Sequence, residues 1–244
     1  MKAPPRLYCT TPLHPGAQLD LPDAPAHHVA RVLRLAAGSA LTLFNGQGGE
    51  WQAIISHIDK RGVRVALGHK LDREAESPLR LTLLQGIASA DKMDWIIQKA
   101  VELGVTAIVP LLTERTLSKL SAERAEKRTQ HWRNIVISAC EQCGRNRLPE
   151  LAPPETLGAR LALKSAARRL VLSPGASTPL AALPGSIDTA ELLIGPEGGL
   201  SERELDQALA AGFIAVCLGP RVLRTETAGL AALAVMQGRW GDGA

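Results

Sequence analysis

No stretch of about eighteen uninterrupted apolar residues occurs among the 244 positions, so no helical membrane span is expected. The opening run Met1-Lys2-Ala3-Pro4-Pro5-Arg6 lacks the apolar core of a signal peptide, and a cytoplasmic location is expected. The common nucleotide loops are missing too. There is no Gly-x-x-x-x-Gly-Lys-Ser/Thr for a triphosphate and no Gly-x-Gly-x-x-Gly for a dinucleotide. Cysteine is scarce. Cys140 and Cys143 form one Cys-x-x-Cys while Cys9 and Cys217 stand alone, so no four-ligand zinc set is present and no metal is expected. The pattern over 132–143 is helical, which places the pair on one helix face and favours packing over redox chemistry. No internal repeat or low-complexity tract stands out.

What is present suffices for real cores: 45% of the residues are hydrophobic, enough for one large domain or two small ones. The charge is unevenly shared. Residues 1–70 hold eight Lys or Arg against four Asp or Glu, whereas 71–244 hold twenty of each. Five of the six histidines also fall in the first third. A small basic module on a neutral body reads as a grip on a polyanion.

The rhythm of the chain divides at the same place. Short apolar runs at 40–44, 51–55 and 63–67, separated by Gly-rich or basic turns, predict a small β-barrel or sandwich over 1–71. One helix is expected inside it, over 24–35, carrying His27, His28, Arg31 and Arg34. Residues 72–78 are charged, poor in apolar side chains and end in proline, as a linker would. From 79 to 244 strands alternate with helices. Strands are expected at 80–87, 105–112, 169–172, 191–194 and 214–218. Helices are expected at 91–103 (capped by Asp91), 122–143, 159–169 and 225–239. Such alternation predicts an α/β domain with a largely parallel sheet.

Two loops in the last quarter carry the functional signal. Leu192-Leu193-Ile194-Gly195-Pro196-Glu197-Gly198-Gly199-Leu200-Ser201 reads as a buried strand, a Gly-Pro corner and a turn. Ser201 with Glu204 forms a capping box for the next helix, and Gly212 supplies its stop. Leu218-Gly219-Pro220-Arg221-Val222-Leu223-Arg224-Thr225-Glu226-Thr227 repeats the strand-corner-helix order. Two such loops at the carboxyl ends of strands point to one pocket built largely from backbone.

These runs resemble the signature loops of the RsmE family, the 16S ribosomal RNA uridine-N3 methyltransferases of the SPOUT class. The runs Lys92-Met93-Asp94-Trp95-Ile96-Ile97-Gln98-Lys99-Ala100-Val101-Glu102-Leu103-Gly104, Glu141-Gln142-Cys143-Gly144-Arg145-Asn146 and Arg31-Val32-Leu33-Arg34 are similar as well, so the resemblance covers nearly the whole chain. It implies a PUA-like RNA-binding β-barrel followed by an α/β domain with a deep trefoil knot, working as a homodimer. Candidate dimer surfaces are the apolar final helix, expected to be buried all round in its own core or against a second copy, and the 122–143 helix. Ser89 and Ala90 stand where family members often carry a basic residue and glycine.

The resemblance also implies the chemistry. S-adenosylmethionine would donate a methyl group to N3 of one uridine, number 1498 in the family, in 16S rRNA of the small ribosomal subunit. The donor would sit against Leu172, Ile194, Gly195, Pro196, Glu197, Gly198 and Gly199 on one side. Leu218, Gly219, Leu223 and Thr225 would hold it on the other, with Leu223 flanking the adenine. Arg224 would support the uridine anion as N3 loses its proton. The proton acceptor stays open between Glu226, which could instead orient Arg224, and Glu197. Arg6, Arg31 and Arg34 read as phosphate contacts, with Arg115, Arg145 and Arg147 extending the track. Two other readings fit a knotted RNA-binding chain: a non-catalytic ribosome-assembly factor, and a methyltransferase acting on ribose or on transfer RNA.

Overall fold

The computed structural model describes residues 3–116 and 121–243. The chain divides into two compact units, Met1–Glu76 with Cys140–Leu148, and Ser77–Ala139 with Pro149–Ala244.

The first unit is a five-stranded sheet. Its elements are β1 (Arg6–Tyr8), β2 (Gln18–Asp20), α1 (Asp23–His27), β3 (Ala40–Phe44), β4 (Glu50–Asp59) and β5 (Gly62–Leu71). The strand order is β1-β3-β4-β5-β2; β1 lies parallel to β3 and the other pairs are antiparallel. The path ends at β1 and β2, so its hydrogen bonds do not close a full ring among the described residues. Strand alternation builds the core. Trp51, Ala53 and Ile55 of β4 and Val63, Val65 and Leu67 of β5 point inward, packing with Leu7, Leu41 and Leu43.

The expected helix over 24–35 is shorter and irregular. Only Asp23–His27 is α-helical; His28–Val32 widens into a π turn, closed by Leu33 N–H to His28 O and Leu35 N–H to Val29 O. The chain leaves it through Arg34 at φ 51°, the one non-glycine residue with positive φ among those described. Helix stops normally use glycine at that position.

The second unit comprises β6 (Arg80–Gly86), α2 (Ala90–Glu102), β7 (Ala107–Leu112), α3 (Ala122–Cys143, whose last residues from Cys140 group with the first unit), β8 (Glu150–Leu151), β9 (Glu155–Thr156) and α4 (Leu157–Leu161). It continues with β10 (Arg168–Leu172), β11 (Thr189–Ile194), α5 (Glu202–Ala210), β12 (Ile214–Val216) and α6 (Thr225–Trp240). The sheet order is β12-β10-β11-β6-β7-β8, with β9 also on β7, and every pair is parallel. A sheet covered on both faces needs apolar residues on both faces of its strands. Accordingly β11 is buried from Ala190 to Ile194, and Leu81, Leu83 and Leu84 of β6 are fully enclosed.

Three details differ from the sequence expectations. Ser89, not Asp91, occupies the N-cap of α2, without a side-chain cap, and Asp91 lies in the first turn. The helix expected over 159–169 stops at Leu161. Arg169 belongs to β10, where its guanidinium and that of Arg160 hold the two oxygens of Glu191 on β11, at 2.9 and 2.8 Å. A buried ion pair between neighbouring strands, joined by a second from Arg160 on α4, outweighs an Ala/Leu helical pattern. Helix α6 is not buried all round by its own chain, the first of the two expected ways: Ala234 is exposed, and Leu230, Ala231 and Val235 are half-buried.

All four cysteines are free thiols. Burial pushes the Cys140 thiol up to about 12, so it stays protonated and inert. No helix of the described residues is long and apolar enough to cross a membrane.

Candidate active site

Three parallel strands deliver three loops to one place. β10 ends at Leu172, β11 at Ile194 and β12 at Val216, all side by side in the sheet. A cavity of about 580 Å³ lies at their carboxyl ends. Its walls contain Leu172, Ile194 to Gly199, Leu218, Gly219, Leu223 and Thr225, which are all the residues that the sequence assigned to the methyl donor. Leu200, Leu205, Val222 and Ala228 add apolar surface. The size suits a nucleoside-bearing ligand.

Backbone packing explains the glycines. A Cβ on Gly195 would lie 2.8 Å from Leu200 N and 2.9 Å from Gly199 C. One on Gly86, at the end of β6, would lie 2.6 Å from Pro196 N. The loop folds onto itself and onto the neighbouring strand with no room for a side chain. Its exit is fixed by the expected capping box, since Ser201 accepts from Glu204 N–H and Glu204 accepts from Ser201 N–H.

A buried relay joins this loop to α6. Thr225 Oγ1 donates to Gly195 O at 2.6 Å, and Gln85 Nε2 donates to Thr225 Oγ1 at 3.1 Å and to Gly86 O at 2.9 Å. The directions are forced. A carbonyl only accepts, so the threonine hydroxyl must donate to it and accept from Gln85. Gln85→Glu would face that threonine oxygen and Gly86 O with a carboxylate instead of an amide donor. It is expected to cost at least about 3 kcal/mol of stability in denaturant titration, and Gln85→Met clearly less.

The charged groups gather at the same loops. Glu197 Oε1 accepts from Ser89 N–H at 3.0 Å and lies 3.4 Å from Lys92 Nζ; Glu226 Oε2 is 3.8 Å from the same ammonium. Burial works against the charge on Glu197, but hydrogen bonds from Ser89 and its own backbone, with the Lys92 ammonium beside it, outweigh it, holding its carboxyl at about 2. Such a group is a poor proton acceptor near neutral pH, where a general base is best matched to the working pH. Glu226 is no better placed. It does not line the cavity, and its Oε2 is buried without a hydrogen-bond partner. Both acids face Lys92 in this structure, Glu197 from the cavity wall and Glu226 with one oxygen buried. Because the folded value of Glu197 is depressed, its ionised form adds stability above about pH 4.5, and this is lost only as pH falls toward 2. An acid titration should leave the loop intact through the mildly acidic range, which amide exchange at Ser89 would report.

Arg224 and Arg221 both line the cavity, are exposed, and have no ion pair or side-chain hydrogen bond among the described residues. Lys92, Arg221 and Val222 were not assigned roles from sequence. Lys92 carries no local signal, because nothing in a helical run shows which lysine meets a loop a hundred residues away.

Comparisons with known proteins settle the family. An RNA methyltransferase domain model matches residues 75–237, and an RNA methyltransferase PUA domain model matches 21–67. Ribosomal RNA small subunit methyltransferase E of Buchnera aphidicola subsp. Schizaphis graminum is 37% identical, over 98% of this chain and 97% of its own. The chain belongs to the ribosomal RNA small subunit methyltransferase E family. Two solved structures of this kind hold the cofactor. A methyltransferase of Legionella pneumophila in complex with SAM is 41% identical, with TM-score 0.95 over 99% of this chain and 100% of that one. Ribosomal RNA small subunit methyltransferase E of Neisseria gonorrhoeae bound to S-adenosyl methionine is 42% identical, with TM-score 0.92 over 98% and 99%. The architecture is thus that of the methyltransferase E family, a PUA-like unit with a parallel α/β unit, and the protein is a methyltransferase.

The arginines assigned to phosphate separate into two groups. Arg31 and Arg34 are exposed at the π turn, and Arg147 is half-exposed beside Glu74. Arg115 is exposed but spends its guanidinium on Gly198 O and Leu200 O at 2.7 and 3.3 Å, bracing the cavity loop. Arg6 and Arg145 are corrections. Arg6 pairs with Glu50 and donates to Asn146 Oδ1 at 2.5 Å, and its guanidinium lies over the Phe44 ring. Arg145 is almost fully buried and binds Glu76 at 2.5 Å. Local sequence could not show this, since Glu50 and Glu76 lie 44 and 69 residues from their partners. Arg145→Ala should act as a broken buried ion pair, costing about 3–5 kcal/mol of stability in chemical denaturation. Arg31→Ala should leave stability unchanged.

Proposed function

We propose that this protein methylates N3 of a single uridine, number 1498, in 16S rRNA of the small ribosomal subunit, with S-adenosylmethionine as donor. The observation that carries the reading is the cavity formed by the 195–199 and 218–225 loops in a chain of this family. Its apolar walls and close-packed backbone fit a nucleoside-bearing ligand. Leu172, Ile194, Leu218 and Leu223 would enclose the adenosine, and Gly195 to Gly199 would follow its polar edge. When bound, S-adenosylmethionine supplies an electrophilic methyl group on a sulfonium, so the chain need only bind, align and adjust charge.

The chain's part is electrostatic. Uridine N3 is a weak acid, and its pairing edge must be freed before reaction. The unpaired guanidinium of Arg224 favours the deprotonated ring, a preorganised charge aimed at one that develops in the reaction. With Glu197 held ionised at about 2 and Glu226 Oε2 shielded, the proton passes to water. Arg31 and Arg34 in the more basic unit would position RNA through its phosphates.

The same reading includes a trefoil knot, a homodimer and work in the cytoplasm. For the knot, the long connection between β10 and β11 packs on α6, with Arg239 donating to Leu183 O and Trp240 to Gly185 O. For the dimer, the half-exposed apolar strip of α6 through Leu230, Ala231, Ala234 and Val235 is the surface offered to a second copy.

The test is reverse transcription on 16S rRNA from small subunits lacking the modification, after incubation with protein and donor. N3 methylation blocks the pairing edge, so a donor-dependent stop at one uridine is expected. Methyl incorporation without a stop would place the reaction on ribose or another base. Neither incorporation nor donor binding would leave an assembly factor.

A further inference from the structure

Lys92 stands where a helix least favours a cation. It lies in the first turn of α2, where unpaired backbone N–H groups already carry positive partial charge. Two carboxylates from two other loops offset that cost, Glu197 after β11 and Glu226 at the start of α6. Their distances of 3.4 and 3.8 Å exceed the ordinary range for a charged hydrogen bond. An ammonium has three protons, and two long contacts leave at least one for another acceptor. The side chain is neither enclosed nor freely solvated: it is 28% exposed and forms part of the cavity wall. A cation held against its helix, by acids that do not use up its donors, faces the ligand space.

We propose that Lys92 is a catalytic residue of the methyl transfer, donating a hydrogen bond to a carbonyl oxygen of the target uracil as N3 loses its proton. The inference rests on the uridine-N3 reading above and adds a second cation to it. Uracil N3 lies between two carbonyl groups, so the charge left when the N3–H bond breaks spreads over N3 and both oxygens. The proton goes to water, and the electron pair left on N3 forms the new bond to the methyl carbon while the methyl–sulfur bond breaks, its electron pair staying on sulfur, which leaves as the neutral thioether S-adenosylhomocysteine. One cation covers one oxygen. Arg224 and Lys92 reach the cavity wall from the amino-terminal ends of α6 and α2, and together supply one donor for each.

The carboxylate of the methyl donor is the competing acceptor, and it fits less well. An ammonium already flanked by two carboxylates would gather a third negative charge around itself. A carbonyl that turns anionic only in the reacting state adds that repulsion only where it is offset by the bond being made. The charged groups around Lys92 are Glu197 on the β11 loop, Glu226 on α6, and Arg221 and Arg224 in the wall of the same cavity.

Lys92→Met and Lys92→Arg test this in the full-length protein, by donor affinity from calorimetry and by single-turnover methylation across pH. The methionine variant should keep donor affinity and lose about a hundredfold in rate at neutral pH. A nearby cation lowers the pKa of the bound ring, so its removal should make the rate keep rising to higher pH than in the unmodified protein. Arginine should restore part of the rate. Subunits carrying 5-fluorouridine, whose N3 is more acidic, should shrink the methionine variant's defect, whereas a merely misfolded site would lose the same factor on both RNAs. An unchanged rate and pH profile would overturn the proposal, as would a loss confined to donor affinity, which would put Lys92 on the cofactor carboxylate. No N3-methyluridine from the unmodified protein would sink the underlying reading. Normal activity with unaffected Lys92 variants would sink this inference alone.

Discussion

Gly195→Ala is expected to lower affinity for S-adenosylmethionine by at least about a hundredfold, the cost typical of moving a binding element by an ångström. The new methyl group would meet Leu200 N at 2.8 Å and Gly199 C at 2.9 Å. Both are backbone atoms of the same loop, so no side chain can swing aside. Relief requires the loop to open. That displaces the carbonyl that Thr225 holds at 2.6 Å and the turn that Arg115 braces through Gly198 O. The capping box at Ser201 and Glu204 anchors the far end, so the shift is absorbed in the cavity wall. Gly175 is the control. A Cβ there meets nothing within 4 Å, its φ is ordinary, and it lies outside the cavity wall, so Gly175→Ala should bind as the unmodified protein does. Calorimetric titration with the donor, beside thermal unfolding of each variant, separates lost binding from lost folding. Full affinity in a folded Gly195→Ala protein would mean that this loop is not the donor site.

How much of this was legible in the sequence follows from the range of the interactions involved. The parallel sheet could be read because the centres of β6, β10 and β11, through Leu81, Leu83, Leu84, Leu170, Val171, Leu192 and Leu193, are enclosed on both faces and form apolar runs. The cavity loops could be read because their constraint is local: Gly195 is shaped by Leu200 five residues away, and Ser201 by Glu204 three residues away. The failures share the opposite property. Arg6 resembles any surface arginine until Glu50 and Asn146 close around it from 44 and 140 residues away. Residues 140–148 were read with the second domain. They group instead with Met1–Glu76, where Arg145 meets Glu76, and Asn146 donates to Arg73 O at 2.6 Å. The helix expected at 159–169 ended early because Arg169 was committed to Glu191 on a strand not yet formed in the chain order. Glu226 belongs to the same class. A carboxylate beside Arg-Thr reads as a base, yet one of its oxygens is shielded behind the wall and faces Lys92, 134 residues earlier in the chain.

That reassignment concentrates the expected catalytic effect on Arg224. Arg224→Ala should reduce the single-turnover rate by about a hundredfold to a thousandfold, the range for removing one preorganised donor to a developing anion. Donor affinity should be preserved, because the loss is confined to the state in which the ring carries charge. The structure supplies the reason for so large an effect. The side chain lines the cavity and has no carboxylate or carbonyl partner among the described residues, so none of its field is spent internally. The residue before α6 also sits at the N-cap, with backbone at φ −66° and ψ 152°, which fixes where the side chain departs. Arg224→Lys keeps the charge but loses the planar fork, and an intermediate rate is expected. The pH profile then distinguishes charge from shape. If Arg224 acts by favouring the uracil anion, the alanine variant recovers rate as pH rises and the ring ionises unaided. If instead it clamps an RNA phosphate, the defect is the same at every pH, and raising RNA concentration relieves it. A rate restored by alkali but not by RNA would assign Arg224 to the reacting base.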